Sequence, residues 1–495
     1  MIKRETKNKR SKKEGAILLQ TMVFAAVAII IISALASYTA TSVKLGRITF
    51  NREQAFQSAE AGIDYYRWHL AHASTDYQDG TGAAGPYVHQ LKDKNGNTVG
   101  QFSLTITAPS QGSTLVKIKS NGASAFDSSY VRKILAQVAK PSIAEHAFAG
   151  NDAMRFGIGT EVFGSIHSNG GIRFDGIAHN LVTSGVATYT DVDSDACTTT
   201  NSYGVHTCLS PQDPRSPTTL PSRPDVFNAG RKMSQPTIDF SGFSADVADL
   251  KTTAQTPDGF YRDAAGTGFV GYHMVLKTND TFDLYKINSW VALPSTCITS
   301  SSNPLGLTWS INTQTIQGNY PFPANGIIFI QDHLIIDGQI NGARLTIVAA
   351  LLPEPTDTTK FKNIIINNDL SYTNYDGTDS LGLVAQGGVQ VGMISDDHLK
   401  IDGALMAQHN SVGRFYYDNA SNKTCSTAYK SRSDITLYGM IASYTRYGFA
   451  YGSPPTSGYT TRNINYDANL LYAPPPSFPL TSDQYQILSW QEVKN

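Results

Sequence analysis

The sequence is poor in charge, in cysteine and in recognisable catalytic motifs. Charged residues make up only 16% of the 495-residue chain, against roughly 25% in an average soluble domain. The net charge of −1 shows no excess of positive charge that would indicate nucleic-acid binding. No G-x-S-x-G, H-E-x-x-H, P-loop or dinucleotide fingerprint occurs, so the enzyme classes that these motifs define are not indicated. The apolar content of 41% still supports a real core, and the length allows two or three domains.

Only four cysteines are present, and none belongs to a C-x-x-C pair. A structural zinc site is therefore not indicated. If the body of the chain lies outside the cell, Cys197 and Cys208 can close a short loop and leave Cys297 to pair with Cys425. Unpaired buried thiols are the competing interpretation, because disulfide connectivity cannot be read from sequence.

Proline is absent from residues 16–72, and charge is absent from the first part of that stretch. Residues 16–36 carry no charge and as a helix would span about 30 Å, the thickness of a bilayer core. Apolar residues then recur at three-, four- and seven-residue steps, which predicts that the helix continues with an amphipathic half. A discarded secretory signal, cleaved within "SALASYTATS", is the alternative. The recurring apolar positions are Leu45, Ile48, Ala55, Ala59, Ile63, Tyr66 and Leu70.

Positive charge is concentrated before this helix. Residues 1–15 contain seven Lys or Arg and two Glu, so they carry +5 and the rest of the chain carries −6. Basic residues beside an apolar span mark the cytoplasmic side of a membrane. The pattern therefore predicts a single-pass membrane protein whose large C-terminal body lies outside the cell.

Two motifs in the first 70 residues resemble those of type IV prepilins. The basic leader ends in Glu14-Gly15 before a small residue and an apolar helix, and "NREQAFQSAEAGIDYYRWHL" is similar to the AFQ-AEAG stretch of PilX-type minor pilins and related pseudopilins. The resemblance implies cleavage after Gly15 by an aspartic prepilin peptidase and a methylated N-terminus at Ala16. It also implies other pilin subunits and an inner-membrane assembly platform as partners. The assembly residues that it implies are Gln20, Ala55, Phe56, Ala59 and Glu60.

One position departs from the family pattern. Most pilins have glutamate at the fifth mature position, where this chain has Gln20. A neutral amide avoids burying a charge but gives up an ion pair with the neighbouring N-terminus. In type II secretion systems the pseudopilin without this glutamate occupies the tip, so the resemblance implies a tip or initiation role.

Changes in composition and hydrophobic pattern along the sequence predict five segments. They are a leader (1–15), the helix (16–72), a small pilin-like β region (73–140), a large β-helix-like domain with looped insertions (141–451) and a proline-rich tail (452–495). Short alternating runs bounded by Gly, Asn and Pro predict the strands.

A recurring motif predicts the architecture of the large domain. "GGIRFDG" (170–176), "DHLIIDG" (332–338) and "DHLKIDG" (397–403) share an apolar-x-apolar-Asp-Gly pattern, and "SDITLYGMI" (433–441) is similar. Repeated short strands with turn residues at the corners favour a β-solenoid resembling a right-handed β-helix, within an α+β chain. A β-sandwich is the alternative, because alternation alone does not separate the two folds.

The acidic residues of the chain suggest metal or catalytic sites only weakly. Stacked repeats could align carboxylates for calcium or for polysaccharide chemistry, but Asp-Gly is foremost a turn sequence. "DVDSD" resembles the start of a calcium loop, yet Ala196 and Ser202 occupy the glycine and glutamate positions of an EF-hand. No cofactor is therefore expected, with calcium as a weak alternative. The residues concerned are Asp332, His333, Asp337, Asp397, His398 and Asp402 in the repeats, and Asp191, Asp193 and Asp195 in the loop.

These features together favour a structural subunit over an enzyme. The leading hypothesis is a minor pilin-like subunit at or near the tip of a type IV pilus or related filament, which presents a β-helical head for adhesion or assembly initiation to a surface receptor or glycan. The alternatives are a membrane-anchored β-helix enzyme acting on polysaccharide and a surface adhesin outside any filament.

Overall fold

The structure is a computed structural model that describes residues 10–109, 113–193, 197, 200–240, 243–300, 303–452 and 455–494. The chain is α+β, with one long N-terminal helix before a large β-rich region. The basic residues before Arg10 lie outside the described residues.

The helices are α1 (Arg10–His72), α2 (Phe243–Ala254) and α3 (Thr427–Lys430), with short 3₁₀ turns at Ile143–Glu145, Thr358–Lys360 and Ala468–Leu471. The strands are β1 (Tyr87–Lys92), β2 (Thr98–Thr107), β3 (Val116–Ser124), β4 (Val131–Ala139), β5 (Phe148–Gly150), β6 (Met154–Phe156), β7 (Glu161–Val162), β8 (Ile166–Ser168), β9 (Ile172–Phe174), β10 (Ile177–Ala178), β11 (Val182–Ser184), β12 (Thr188–Tyr189), β13 (Ser202–Tyr203), β14 (Val205–His206), β15 (Arg231–Lys232), β16 (Phe260–Arg262), β17 (Gly271–Lys277), β18 (Thr281–Trp290), β19 (Cys297–Thr299), β20 (Ile311–Pro321), β21 (Ile327–Ile330), β22 (Leu334–Ile340), β23 (Arg344–Ala349), β24 (Ile364–Ile365), β25 (Leu370–Tyr372), β26 (Ser380–Ala385), β27 (Val389–Val391), β28 (His398–Ala407), β29 (Val412–Arg414), β30 (Tyr417–Asn419), β31 (Ser431–Ser443), β32 (Ala450–Tyr451), β33 (Ser457–Tyr466) and β34 (Gln486–Val493).

Helix α1 is the longest element, with 63 residues. No proline interrupts it, and its Ala and Leu content favours an uninterrupted helix. Its last turn is followed by a tight turn in which Asp76 accepts the N–H groups of Gln78 and Gly80. The helix also starts earlier than predicted, because it continues back through part of the basic leader.

Contacts divide the chain into two compact units. The first consists of Met1–Thr107, Lys117–Gln137 and Ser489–Asn495, and the second of Ala108–Val116 and Val138–Leu488. The chain therefore leaves the first unit after β4 and returns to it near its C-terminal end. This division differs from the predicted five segments, in which residues 452–495 formed a single proline-rich tail.

The first unit is a sheet packed on the second half of α1. The strand order is β1-β2-β3-β4-β34, and the β1–β2 and β2–β3 pairs are antiparallel. Alternate side chains along the strands are buried, among them Phe102, Leu104, Ile118 and Ile134. This period of two is the pattern of a sheet with one face on a core and one face exposed.

The second unit is built mainly from parallel strand pairs. One ladder runs β16, β21, β23, β26, β28, β31, β5, β8, β11 and β15, and every neighbouring pair in it is parallel. A second parallel ladder runs β17, β22, β24, β27 and β29. The β-sandwich alternative does not describe this network, because a sandwich is made of antiparallel sheets.

The order of strands in the first ladder is not the order of the chain. Strand β31 pairs in parallel with β28 on one side and with β5 on the other. A strand from the start of the second unit therefore pairs with a strand from near its end. The motif "GGIRFDG" contains strand β9. This strand pairs with β6 and β14 and not with the strands of the other repeats.

Both faces of the first ladder are covered by apolar side chains. One face contributes Ile328, Ile347, Leu383 and Leu405 to the main core, and the opposite face packs against α2. Strands buried on both faces read as nearly continuous apolar runs, which explains "GIIFI" and "LTIVAA" in the sequence.

Candidate functional site

The first half of α1 exposes a continuous apolar surface. Ile30 is 67% exposed, and other large side chains from Ile17 to Leu45 are exposed to a similar degree. The hydroxyl groups of Thr21 and Thr41 donate to backbone carbonyls three and four residues earlier, at 2.8 Å, so these polar groups are satisfied within the helix. Such a segment is long and apolar enough to cross a membrane.

The residues implied in processing lie at the start of this segment. Gly15 and Ala16 are helical and exposed, and Gln20 is exposed one turn further along. Nothing among the described residues packs on Gly15. Cleavage after Gly15 and a subunit contact at Gln20 both stay predictions, and this placement leaves each residue accessible to a partner.

The second half of α1 is buried against its own sheet. Ala55 and Ala59 are fully buried, and strand β3 crosses them at Gly122. A Cβ atom at Gly122 would lie 2.2 Å from the Ala55 carbonyl oxygen and 2.2 Å from the Ala59 nitrogen. The two small residues of the AFQ-AEAG stretch therefore allow the helix and a strand of the same chain to approach closely.

Phe56 and Glu60 lie beside this contact and are half-buried. The Phe56 ring meets Trp490 of β34 edge to face at 6.0 Å, and the Arg132 guanidinium lies 5.4 Å from its centroid. Arg132 also forms an ion pair with Glu492. In this structure Ala55, Phe56 and Ala59 thus make contacts within the chain, and their role in assembly stays a prediction. Helical periodicity alone does not distinguish a face that meets another subunit from one that meets its own sheet.

The four cysteines form two disulfides, Cys197–Cys208 and Cys297–Cys425. This is the pairing expected for a body outside the cell. Cys297 and Cys425 are buried, whereas Cys197 and Cys208 are half-buried. The first bridge closes a loop near β14, and the second connects segments 128 residues apart.

Two of the weak calcium candidates, Asp191 and Asp193, contact basic side chains. Asp193 accepts two hydrogen bonds from Arg446, at 2.9 and 3.0 Å, while Asp191 is buried beside Arg173 and His206. Asp195 lies outside the described residues. Burial raises the pKa of Asp191, but contacts with His206, the Asp193 N–H and Arg173 outweigh this effect and hold the pKa below its ordinary value.

The two nearly identical repeats occupy different environments. His333 is buried with Nδ1 accepting the Asn363 N–H at 3.1 Å, and burial holds the pKa of this imidazole well below its ordinary value. His398 is exposed, and its hydrogen bond to Asp434 raises its pKa. Asp332 is bound by Lys362 at 2.9 Å, and Asp397 accepts the Ser433 N–H at 3.0 Å. The Asp-His pairs therefore do not form one repeated site.

The strand pairing places the Asp-Gly pairs of the two repeats at different positions. Gly338 aligns with Leu370, which aligns in turn with Ile401, so the second Asp-Gly pair is displaced by two residues from the first. Asp337 contacts His273 at 3.0 Å, whereas Asp402 is fully buried and accepts the Tyr372 N–H at 2.9 Å. Burial raises the pKa of Asp402. The carboxylates of Asp337 and Asp402 are therefore out of register with each other, and the calcium and polysaccharide hypotheses stay predictions.

Glycine at the second position of these pairs meets a backbone requirement. Gly403 has φ 152°, a conformation that L side chains rarely adopt. Gly439, in the aligned position of β31, approaches so closely that an added Cβ would lie 1.8 Å from the Gly403 carbonyl oxygen. The Gly403 and Gly439 positions therefore have a structural explanation in the close approach of the neighbouring strands β28 and β31.

An open cavity of about 620 Å³ lies elsewhere in the second unit. Phe361 stacks on His409 at 4.6 Å, Tyr444 lies 6.0 Å from His409, and Glu354 approaches its Nε2 at 3.2 Å. No motif in the sequence singles out Phe361 or His409. Phe361, His409 and Tyr444 come from three separate segments, so no local motif could have indicated them.

Comparison with known proteins gives little further information. No family model matches the chain, and no curated protein matches it significantly. Among solved structures, the competence-associated pilin ComZ from Thermus thermophilus matches over 90% of this chain and 98% of its own, at 14% identity and a TM-score of 0.28. Because this TM-score is low, the match carries no argument about fold or function.

Proposed function

We propose that this chain is a pilin-like subunit that is held in the membrane by α1 before it enters a type IV pilus or a related filament. Cleavage after Gly15 releases Ala16 as the new N-terminus, and the apolar half of α1 then packs among the helices of other subunits. The chain acts as a structural and interaction protein rather than as an enzyme.

One observation carries this proposal. A single helix has a first half whose large apolar side chains are exposed and a second half buried on an antiparallel sheet of the same chain. A membrane anchor alone needs only the first half, with about 20 apolar residues. The continuous extension of that helix into a folded unit supports a subunit whose helix moves between lipid and a filament.

We further propose that the second unit is a β-solenoid head at or near the filament tip. The parallel ladders and the apolar side chains between successive strands support the solenoid. Residues 138–488 belong to this unit, and a head of this size on every shaft subunit would crowd its neighbours. Gln20 in place of the usual glutamate supports the same position.

The cavity around His409 is where we place a binding role of the head. Aromatic faces beside a carboxylate and an imidazole provide stacking surfaces together with hydrogen-bonding groups. A glycan or a protein surface is therefore the receptor class that this proposal favours for adhesion.

The proposal is tested by following the full chain into surface filaments. Wild type and Gly15→Leu are expressed in the native host, and sheared filaments and membranes are probed with an antibody to the second unit. Gly46→Leu is the matched control, because Gly46 lies in the same helix with open space around its Cβ position. We expect the Gly15→Leu protein to stay in the membrane fraction and the control protein to enter the filament fraction.

Two results would contradict the proposal. Absence of the wild-type chain from sheared filaments would indicate a surface protein that never assembles. Equal amounts of the wild-type and Gly15→Leu proteins in filaments would show that Gly15 has no part in processing.

A further inference from the structure

The first unit contains an open groove between α1 and the turn that connects β3 to β4. The groove has a volume of about 1040 Å³, and α1 lines it from Thr39 to Asn51. Phe50 of the helix is 54% exposed and Phe126 of the turn is 68% exposed, and their rings meet edge to face at 5.6 Å. Exposed apolar patches mark interaction sites, so this groove is a candidate contact surface of the first unit.

Basic side chains surround the groove. Lys44 and Arg47 line it and are exposed. An adjoining opening shares Tyr130 with the groove and has four further basic side chains in its lining, namely Arg52, Arg132, Lys133 and Lys494. The rest of the molecule is different, because the chain beyond residue 15 carries a net charge of −6. Positive charge is therefore concentrated at one place on an acidic body.

Two acidic residues line these openings among the described residues, and both have partners close by. Asp127 accepts the Ser129 N–H at 3.0 Å and the Ser129 hydroxyl at 2.6 Å. Glu492 forms an ion pair with Arg132. The positive charge of Lys44 and Arg47 therefore stays available to an anionic group that approaches the groove.

The position of the groove along α1 indicates what that anionic group is. Residues 15–43 carry no charge, and as a helix they span about 43 Å, which matches the roughly 40–45 Å of a bilayer with its headgroup layers. Lys44 is the first charged residue after this run, whereas Thr39 and Ala40 of the groove belong to the run itself. When α1 spans a bilayer, the groove therefore begins at the depth of the lipid headgroups.

We propose that this groove docks on anionic phospholipid headgroups of the membrane that α1 spans. Aromatic rings favour the boundary between hydrocarbon and headgroups, and clustered Lys and Arg beside a membrane helix attract anionic lipids. An apolar helix of a second copy would account for the two phenylalanines but not for the basic side chains. The inference rests on the part of the proposed function in which α1 spans a membrane, and not on cleavage or filament assembly.

The test uses the full chain, with both disulfides intact, in lipid nanodiscs that hold one chain each. A spin label on Ser128→Cys, in the exposed turn beside Phe126, reports its accessibility to oxygen, which concentrates in lipid, and to a nickel chelate, which stays in water. Discs of phosphatidylglycerol with phosphatidylcholine are compared with discs of phosphatidylcholine alone. We expect the label to lose accessibility to nickel and to gain accessibility to oxygen in the anionic discs.

A label at Thr75→Cys is the positional control. Thr75 is exposed in the turn that follows α1, about 37 Å further along the helix axis than Phe50. Its label should stay accessible to nickel in both kinds of disc.

Charge variants carrying the Ser128→Cys label test the basic side chains. Lys44→Gln/Arg47→Gln should lower the equilibrium constant for lipid contact by about fivefold for each charge removed. Lys117→Gln/Lys119→Gln is the matched control, because it removes two exposed charges of β3 that do not line the groove. The control should behave like the wild type, and equal losses in the two double variants would overturn the proposal.

A label at Ile30→Cys separates this inference from the proposed function. An Ile30 label in lipid together with a Ser128 label in water would overturn the docking of the groove and leave the membrane anchor intact. An Ile30 label in water would contradict the membrane anchor and the docking together.

Two further results would overturn the proposal. Equal accessibility of the Ser128 label in the anionic and neutral discs would exclude recognition of anionic headgroups. A Ser128 label that leaves water only in discs with two chains would identify a second copy as the occupant of the groove.

Discussion

The two halves of α1 are one continuous helix in two different environments. Ile30 in the first half is 67% exposed, whereas Ile63 in the second half is 2% exposed. The first half is apolar on all sides, as expected for a helix surrounded by lipid or by other helices. The second half is apolar on one face only, and that face meets its own sheet.

This difference shows that burial in the second half depends on small residues as much as on large ones. Ala55 and Ala59 face Gly122, where the backbones of the helix and β3 approach each other. The first half has no such constraint among the described residues. Substitutions that change size should therefore have large effects in the second half and small effects in the first.

The largest effect is expected for Gly122→Ala. The new Cβ would lie 2.2 Å from two backbone atoms of α1, and the helix would have to move, at a cost of about 3 kcal/mol. Hydrogen exchange of the β2 and β3 peptides in the full chain measures this cost as faster exchange. Peptides from β21 to β23 in the second unit serve as the internal control.

Gly46→Ala is the matched variant in the other part of the helix. Its Cβ meets open space, and alanine favours a helix interior by about 1 kcal/mol over glycine. Slower exchange around residue 46 is expected. Equal behaviour of the two glycine variants would contradict the close approach at Gly122.

Next in size is a pair of isoleucine truncations. Ile63→Ala removes a buried side chain and should lower the free energy of unfolding of the first unit by about 2–3 kcal/mol. Ile30→Ala should change that free energy by less than about 0.5 kcal/mol, because its side chain contacts no core. Exchange rates of β2 report both values, and similar losses for the two variants would show that the halves are not distinct.

A smaller effect is expected for Phe56→Leu. Leucine keeps an apolar contact but loses the edge-to-face contact with Trp490, which is worth about 0.5–1.5 kcal/mol. Because Trp490 lies in β34, the faster exchange should be strongest in the peptide that covers Gln486–Val493. Unchanged exchange in that peptide would mean that β34 is held without Phe56.

The smallest effect on stability is expected for Gln20→Glu. Gln20 is exposed and far along α1 from the sheet, so exchange throughout the first unit should stay within error of the wild type. The amount of chain in sheared filaments should change instead, because a glutamate can pair with the N-terminus of a neighbouring subunit. A change in exchange at β2 or β3 would contradict the separation of the two halves.

The elements that depend on local patterns were predictable from the sequence. The absence of proline and the change from a uniformly apolar to an amphipathic pattern predicted a helix over residues 16–72, and α1 ends at His72. The sequence does not indicate the earlier start at Arg10, because its basic residues predict a separate leader. Lysine and arginine are themselves good helix formers.

The elements that depend on distant pairing were not predictable. Nothing near Gln486–Val493 indicates that this strand joins a sheet made of residues 87–139, and no local signal places β5 next to β31. The repeats show the same limit, since His333 and His398 share the sequence Asp-His-Leu but differ in burial and in the direction of their pKa shifts. Their environments are set by neighbouring strands.

The N-terminus of the chain purified from the cell surface, determined by mass spectrometry of its N-terminal peptide, tests cleavage after Gly15 most directly. Such cleavage predicts that this peptide begins at Ala16 and carries an N-terminal methyl group. A surface protein that still contains the residues before Gly15, or one that begins near Ser37, would contradict it, because neither product would result from cleavage after Gly15.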